Sequence, residues 1–377
     1  MKSNPFFPDV PGNFGFGCMR LPMKDGEVDG EQFCRMADAF LDAGFRYFDT
    51  AHGYIGGRSE TAFRDCVARR YDRSRFLLTN KLSTPYFQSE EEIRPLFEKQ
   101  LALCGVSYFD FYLMHAQSRN NYEKYKRCRA YETAFALKEE GLIRHVGLSF
   151  HDKAEFLETI LTDYPDIEVV QIQFNYIDYD DPSVESRKVY EVCERFGKPV
   201  IVMEPVKGGS LVNLPEKADA ILRSLGGGSS ASYALRFAGS FPNVAMVLSG
   251  MSDTAQMADN LSAMRDFRPL SEAEREAIEK VREVFRDLDL IPCTKCRYCV
   301  DDNECPAQIG IPDIFAALNA FESFHNWNTK FYYNSVLTGN GKGRASDCIK
   351  CGGCEEVCPQ HLEIRRLLEE AVKQLES

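Results

Sequence analysis

Eight apolar runs of strand length recur along the first 265 residues or so, at 13–18, 45–51, 76–82, 109–116, 145–150, 169–176, 199–206 and 244–250, and most lead into a helix-like segment. This alternation restricts the fold more than any other feature, because strands separated by helices pair in parallel through right-handed crossovers. Phe33, Met36, Ala37, Phe40 and Leu41 repeat at the spacing of one helical face, closed by Gly44. Ser89 to Glu92 has the spacing of a capping box ahead of Leu96, Phe97, Leu101 and Leu103. Further helices fit 122–140, 152–163, 183–196 and 229–239. Eight such units predict an α/β chain folded as a (β/α)8 TIM barrel. A doubly wound open sheet is the alternative, but no G-x-G-x-x-G follows a strand to mark a Rossmann nucleotide site.

In such a barrel, chemistry sits at the C-terminal ends of the strands. The polar residues that end the runs are Asp49, Lys81, His115, Ser149, Gln173 with Asn175, Glu204 and Ser249. An aspartate, a lysine and a histidine at three successive strand ends are poorly explained as packing, since buried charges are rarely left unpaired. The stretch FRYFDTAHGYIGGRSE (45–60) adds Tyr54, on a turn where Gly53, Gly56 and Gly57 let the backbone bend before Ser59 and Glu60 begin a helix. A carboxylate at a strand end and a tyrosine five residues later suit proton transfer. Free tyrosine has a pKa near 10, so a lysine ammonium beside Tyr54 is expected to lower it, with Asp49 holding the Lys81 charge in place. Tyr54 would then protonate a carbonyl oxygen, and a neutral His115 would hydrogen-bond the same oxygen. His52 reads slightly better as a solvated loop residue than as a lining of the site.

Composition changes abruptly beyond a charged helix over 266–290, with Ser271 as its N-cap and Ala277, Ile278, Val281, Val284 and Phe285 on its apolar face. Eight of the fourteen cysteines fall in the last 85 residues, in two runs: Cys293, Cys296, Cys299, Cys305-Pro306 and Cys348, Cys351, Cys354, Cys358-Pro359. The second is C-x2-C-x2-C-x3-C-P, the bacterial ferredoxin pattern, and the first differs by a longer loop before its fourth cysteine. Zinc sites more often pair two C-x-x-C units, so two [4Fe-4S] clusters are the stronger reading. The fourth cysteine of each run is expected to ligate the other run's cluster: Cys293, Cys296, Cys299 and Cys358 on one, Cys348, Cys351, Cys354 and Cys305 on the other. Between the runs, a helix over 311–324 precedes Trp327, Phe331, Tyr332 and Tyr333, expected as the apolar shell of a small domain or its dock on the barrel. The chain thus divides into a barrel, 1–288, and a small α-helical ferredoxin-like domain, 289–377. Cys18, Cys34, Cys66, Cys104, Cys128 and Cys193 read as reduced core residues.

A hydrophobic fraction of 44% supports a sizeable core, and no apolar run is long enough to span a membrane. A formal charge of −12 argues against a nucleic-acid partner. The opening MKSNPFFPDV lacks a basic-then-apolar signal, which points to a reducing cytoplasmic setting.

Asp49, Tyr54, Lys81 and His115 in this order, ALKEEGLIRHVGLSFH (136–151), Gln173 with Asn175, and SGMSDTAQMADN (249–260) together resemble the aldo-keto reductase family over roughly residues 13–285. The cysteine-rich tail resembles the ferredoxin domain carried by one subgroup of that family. The resemblance implies the four residues as catalytic, and NAD(P)H laid across the barrel top. Ser149, Gln173 and Asn175 would hold its carboxamide and ribose, and Ser249, Gly250, Gln256 and Asn260 its pyrophosphate and adenosine. Met203 stands where many members stack a tyrosine on the nicotinamide. Met251-Ser252-Asp253 offers no Lys or Arg for a 2′-phosphate, so a preference for NADP is not supported. Lys207 reads at least as well as a solvated lysine as a phosphate ligand. The implied activity is an oxidoreductase acting on a small-molecule carbonyl or alcohol, the clusters relaying electrons. The alternatives are an electron-transfer protein on a retained scaffold, and a reductase whose clusters are only structural. Because nicotinamides pass electron pairs and clusters single electrons, the clusters are expected to serve a flavin taken from solution, for which no motif exists, or the substrate itself. A ferredoxin-like protein is the expected external partner.

Overall fold

The computed structural model describes residues 4–181, 184–288, 290–303, 305–324, 330, 333–338 and 342–376. Trp327, Phe331 and Tyr332 of the aromatic stretch lie outside them. Residues Met1–Val206 with Ala231–Ser271 form one compact unit, and Lys207–Ser230 with Glu272–Ser377 form a second.

The first unit is built on a closed barrel of parallel strands: β1 (Phe14–Gly17), β2 (Tyr47–Asp49), β3 (Leu77–Leu82), β4 (Phe109–Gln117), β5 (Ile143–Phe150), β6 (Val169–Gln173), β7 (Val200–Met203) and β8 (Val244–Ser249), with β1 closing against β8. All eight strands fall within the apolar runs or within two residues of them. The helix Gly30–Asp42 starts at Asp29, whose side chain accepts from Gln32 N, and buries the anticipated Phe33, Met36, Ala37, Phe40 and Leu41. Phe40 meets Phe14, Phe16, Phe45 and Phe48 at ring distances of 5.2–5.9 Å, which fixes this helix against β1 and β2. Inside the barrel, Phe7 and Val10 of the N-terminal segment pack with Tyr47, Leu77, Phe111, Leu113 and Val169. Gly147 in β5 is obligatory there, because a Cβ would press on Val169 and Leu113.

Three local expectations need correction. Ser89 makes no side-chain cap bond, and the Glu92 carboxylate accepts instead from Gln88 N at 2.7 Å, so no capping box forms. The helix expected over 122–140 is two, Tyr122–Arg127 and Ala130–Glu139, broken at Arg129 with φ +50°. Cys34 and Cys66 are not reduced core residues but a disulfide, their Cα atoms 4.7 Å apart where the helix Gly30–Asp42 faces the π-helical turn Arg64–Ala68.

In the second unit the helices Glu216–Arg223 and Glu272–Arg286 pack on each other, the latter burying Ala277, Ile278, Val281 and Val284. The helix Ile311–Phe324 packs on Ile364–Leu375 around a core of Ile314, Phe315, Leu318, Tyr333, Leu367 and Leu368, into which Cys299 and Cys354 are built. Tyr333 is the shell aromatic that was anticipated: its buried hydroxyl bonds Glu376 at 2.6 Å and accepts from Ala345 N at 2.8 Å. Among the described residues, no helix is long and apolar enough to cross a membrane.

Candidate active site and cysteine pockets

The pairing of β2 with β3 sets Asp49 beside Thr79, so Lys81 lies one pleat further along on the same face as Thr79. Its fully buried ammonium donates to Asp49 Oδ1 at 2.6 Å, Thr50 O at 2.9 Å and Tyr54 Oη at 3.3 Å, which uses all three protons. Tyr54 reaches it because Ile55, Gly56 and Gly57 take left-handed conformations in succession and fold the turn back. His115, from β4, lies edge-on to the Tyr54 ring at 5.8 Å, and its Nδ1 meets Ser83 Oγ at 2.6 Å. The four residues anticipated as catalytic are thus brought together.

The electrostatics differ from expectation at Tyr54. Burial first, and then the Asp49 charge, hold its phenol well above the usual tyrosine value. Tyr54 therefore keeps its proton throughout the neutral range. Burial likewise raises Asp49 and lowers Lys81, each opposed by the other's charge. His115 is driven well below the ordinary imidazole value by burial, then by Lys81 and His151, so it is neutral as anticipated.

A buried polar network beneath the turn holds this arrangement. Glu60, fully buried, bridges His52 Nδ1 at 2.7 Å and Asn80 Nδ2 at 2.8 Å. Asn80 Oδ1 accepts from Lys81 N and from Gln100 Nε2, which also donates to Lys81 O. The backbone of Lys81 is therefore gripped on both sides. His52 is consequently not a solvated loop residue: it is buried and ties the Tyr54 turn to Glu60. Glu60, Asn80, Ser83 and Gln100 were not singled out in the sequence, although a polar pair inside the apolar run LLTNKL was a visible signal.

The cysteines of the second unit line two pockets. One is walled by Cys293, Cys296, Cys299 and Cys358, the other by Cys305, Cys348, Cys351 and Cys354, with Ile311 between them touching both. Each pocket thus brings three cysteines of one run together with the fourth of the other. The two runs also share a backbone: Lys295 and Lys350, Arg297 and Gly352, and Gln308 and His361 occupy equivalent places and all have φ between +51° and +85°. Each pocket presents four cysteine sulfurs, the donor type and number that a [4Fe-4S] cluster takes.

Comparison with known proteins agrees with both halves of this geometry. Residues 13–283 match the Aldo/keto reductase family, and residues 292–362 match a 4Fe-4S dicluster domain. The chain belongs to the aldo/keto reductase family. An aldo-keto reductase of Mycolicibacterium smegmatis is 28% identical over 240 residues, 63% of this chain and 78% of the relative. Another from a Mycobacterium species is 28% identical over 202 residues, 53% of this chain and 66% of the relative, so the match spans just under two thirds of that protein. Among solved structures, the holo form of an aldo-keto reductase from Bacillus halodurans superposes with a TM-score of 0.59 at 24% identity, covering 71% of this chain and 91% of that one. One from Klebsiella pneumoniae in complex with NADPH gives 0.59 at 20% identity, over 72% and 91%. At these identities the two structures establish the barrel fold.

The remaining residues of this aldo/keto reductase test its fit to a dinucleotide. Near the four residues, Gln171 Nε2 donates to Asp49 Oδ2 at 3.3 Å while its Oε1 is buried without a partner. An amide donor such as a carboxamide would satisfy that oxygen, which was missed in the sequence because Gln173 drew the reading. Gln173 and Asn175 each donate to Asp178 at 2.6 Å. Ser149 Oγ accepts from Ala116 N at 2.8 Å, and Met203 ends β7 half-buried. On the far side Asn260 donates to Ser249 Oγ at 2.8 Å, and the Arg20 side chain lies over Gly250. Gln256, exposed, is tied to the helix cap Asp253. Arg20 itself pairs with Glu204 at 2.9 Å. The unmet Gln171 oxygen suits the carboxamide end of a dinucleotide, whereas at the other end the Arg20 cation is already paired with Glu204. Lys207 is buried within the second unit, not solvated, because its loop folds with that unit.

Proposed function

We propose that this aldo/keto reductase reduces a small carbonyl compound, or oxidises the corresponding alcohol, with Tyr54 as the proton donor. The observation that carries the reading is the fully buried Lys81 ammonium bonded at once to Asp49 and Tyr54. A buried ion pair is weak evidence for stability alone, so its placement against a phenol at a barrel mouth argues for chemistry. NAD(P)H held with Gln171 and Met203 near its nicotinamide would supply hydride. Tyr54 Oη gives its proton to the substrate oxygen, and His115 donates a hydrogen bond to the same atom. Burial keeps the proton on Tyr54 at neutral pH but makes the phenol a weaker acid, so Lys81 must stabilise the phenolate as it forms. With a small aromatic aldehyde and NADH or NADPH, Tyr54→Phe should slow turnover about 10²–10⁴-fold at nearly unchanged cofactor affinity. An unchanged rate would remove Tyr54 from the mechanism.

Clusters held by the cysteines of the two pockets would supply one-electron chemistry, and one of those cysteines, Cys351, is exposed. This favours electron exchange with an external carrier of ferredoxin type at that cysteine over a purely structural role. Reduction of the clusters by dithionite-reduced ferredoxin, followed optically, should slow in Cys351→Ser. Equal rates would leave the clusters structural.

A further inference from the structure

We propose that Ser83 is a positioning residue that selects the tautomer of His115 with the proton on Nε2, and thereby makes this ring a donor to the substrate oxygen. The inference rests on the function proposed above and assigns a role to a residue outside the four. His115 stays neutral in its buried setting, so its ring has one donor nitrogen and one acceptor nitrogen. Which is which decides whether the ring can stabilise negative charge on a carbonyl oxygen or only accept a proton.

Ser83 follows the last residue of β3, and its Oγ, buried, lies 2.6 Å from His115 Nδ1. If Oγ–H donates to Nδ1, the ring proton sits on Nε2. If Nδ1–H donates to Oγ, the hydroxyl proton needs another acceptor. Among the described residues, the Ser83 hydroxyl has none besides Nδ1. The second arrangement buries an unmet donor, so the first is favoured.

The contact is braced from outside. Tyr125, fully buried on the short helix Tyr122–Arg127, places its hydroxyl 2.7 Å from Leu82 O and 3.0 Å from His115 O. The backbone beside Ser83 and the backbone of His115 are thereby stapled at one point. Lys124, on the same helix, donates to Thr84 O at 2.9 Å and holds the residue after Ser83. Hydroxyl and imidazole are kept in register by residues that do not touch the reaction.

The test reads the tautomer directly. In ¹⁵N spectra of histidine-labelled full-length protein, with His115 assigned by its loss in His115→Asn, the wild type should show a protonated Nε2 and an unprotonated Nδ1. Ser83→Ala should yield mixed tautomers and lower kcat for a small aromatic aldehyde by about 10–100-fold, the scale of one lost hydrogen bond in the transition state, with KM nearly unchanged. Ser83→Thr, which keeps the hydroxyl, should restore both. Tyr54→Phe should slow turnover about 10²–10⁴-fold without moving the His115 signals, so a failure of the proposed acid and a failure of this inference read differently. A protonated Nδ1 in the wild type, or a Ser83→Ala protein with the wild-type ¹⁵N pattern, overturns the proposal.

Discussion

In the barrel, buried polar groups meet other parts of the same chain: Lys81 meets Asp49 and Tyr54, Glu60 meets His52 and Asn80, and His115 meets Ser83. The second unit instead builds Cys299 and Cys354 into its apolar core and sets eight cysteines around two pockets that suit an inorganic filling. Burial pushes the thiols of Cys18, Cys104 and Cys193 in the barrel far up, which makes them inert. Preorganisation in the barrel is a property of the polypeptide, whereas in the second unit the cysteine pockets are expected to need a group the cell must deliver.

The largest effect should therefore come from removing that group. Anaerobically purified protein should hold about four iron and four sulfide per pocket. Chelating the iron should abolish the cooperative melting of the second unit while the barrel transition survives, as seen by calorimetry of holo and apo protein. A second unit that still melts cooperatively without iron, or stoichiometric zinc with no sulfide, breaks the contrast.

Next in size is a cut inside the barrel network. Lys81→Met leaves Asp49 buried without its cation and should cost about 3–5 kcal/mol in urea unfolding of the first unit. Adding Asp49→Asn should recover most of that loss, because the stranded charge is then gone. A single variant as stable as the wild type would mean that the pair is solvated.

A smaller effect separates the regions by pH. Glu168 is partly buried, which alone would raise it, but bonds from His145, Lys138 and Val146 N bring it down to about 2. A carboxyl lowered from 4.5 on folding stabilises the native state above that value, and the stability is lost as pH falls from 4.5 toward 2. The barrel transition, and not that of the second unit, should weaken over this window by on the order of 2 kcal/mol. Glu168→Gln should flatten the dependence, and an unchanged slope would exclude the group.

Strand placement and the grouping of Asp49, Lys81 and His115 were legible because each rests on a local signal, a polar residue closing an apolar run. The support of those residues was not. Glu60 reads as a helix start until the turn folds it back onto His52, and Gln171 and Gln173 share one strand face, so only the point where β6 ends shows which of them faces Asp49. Tyr54 was misjudged because burial, which dominates its proton affinity, has no sequence pattern. The Cys34–Cys66 link depends on how a helix meets a π-helical turn 32 residues away in sequence, which periodicity does not encode. The cysteine pockets were the easiest to read, since the cysteines recur at fixed short spacings along the chain.

The exchange of fourth cysteines between the pockets also sets a timetable for biosynthesis. A nascent chain that has just released Cys305 from the ribosome displays four thiols that belong to two different sites and complete neither. One pocket closes when Cys354 emerges and the other only with Cys358, by which time the strands of the barrel have long been out and free to fold. If the pockets hold clusters, iron and sulfur delivery would be completed only then, and a translation product halted between residues 305 and 348 would hold four cysteines that complete neither pocket.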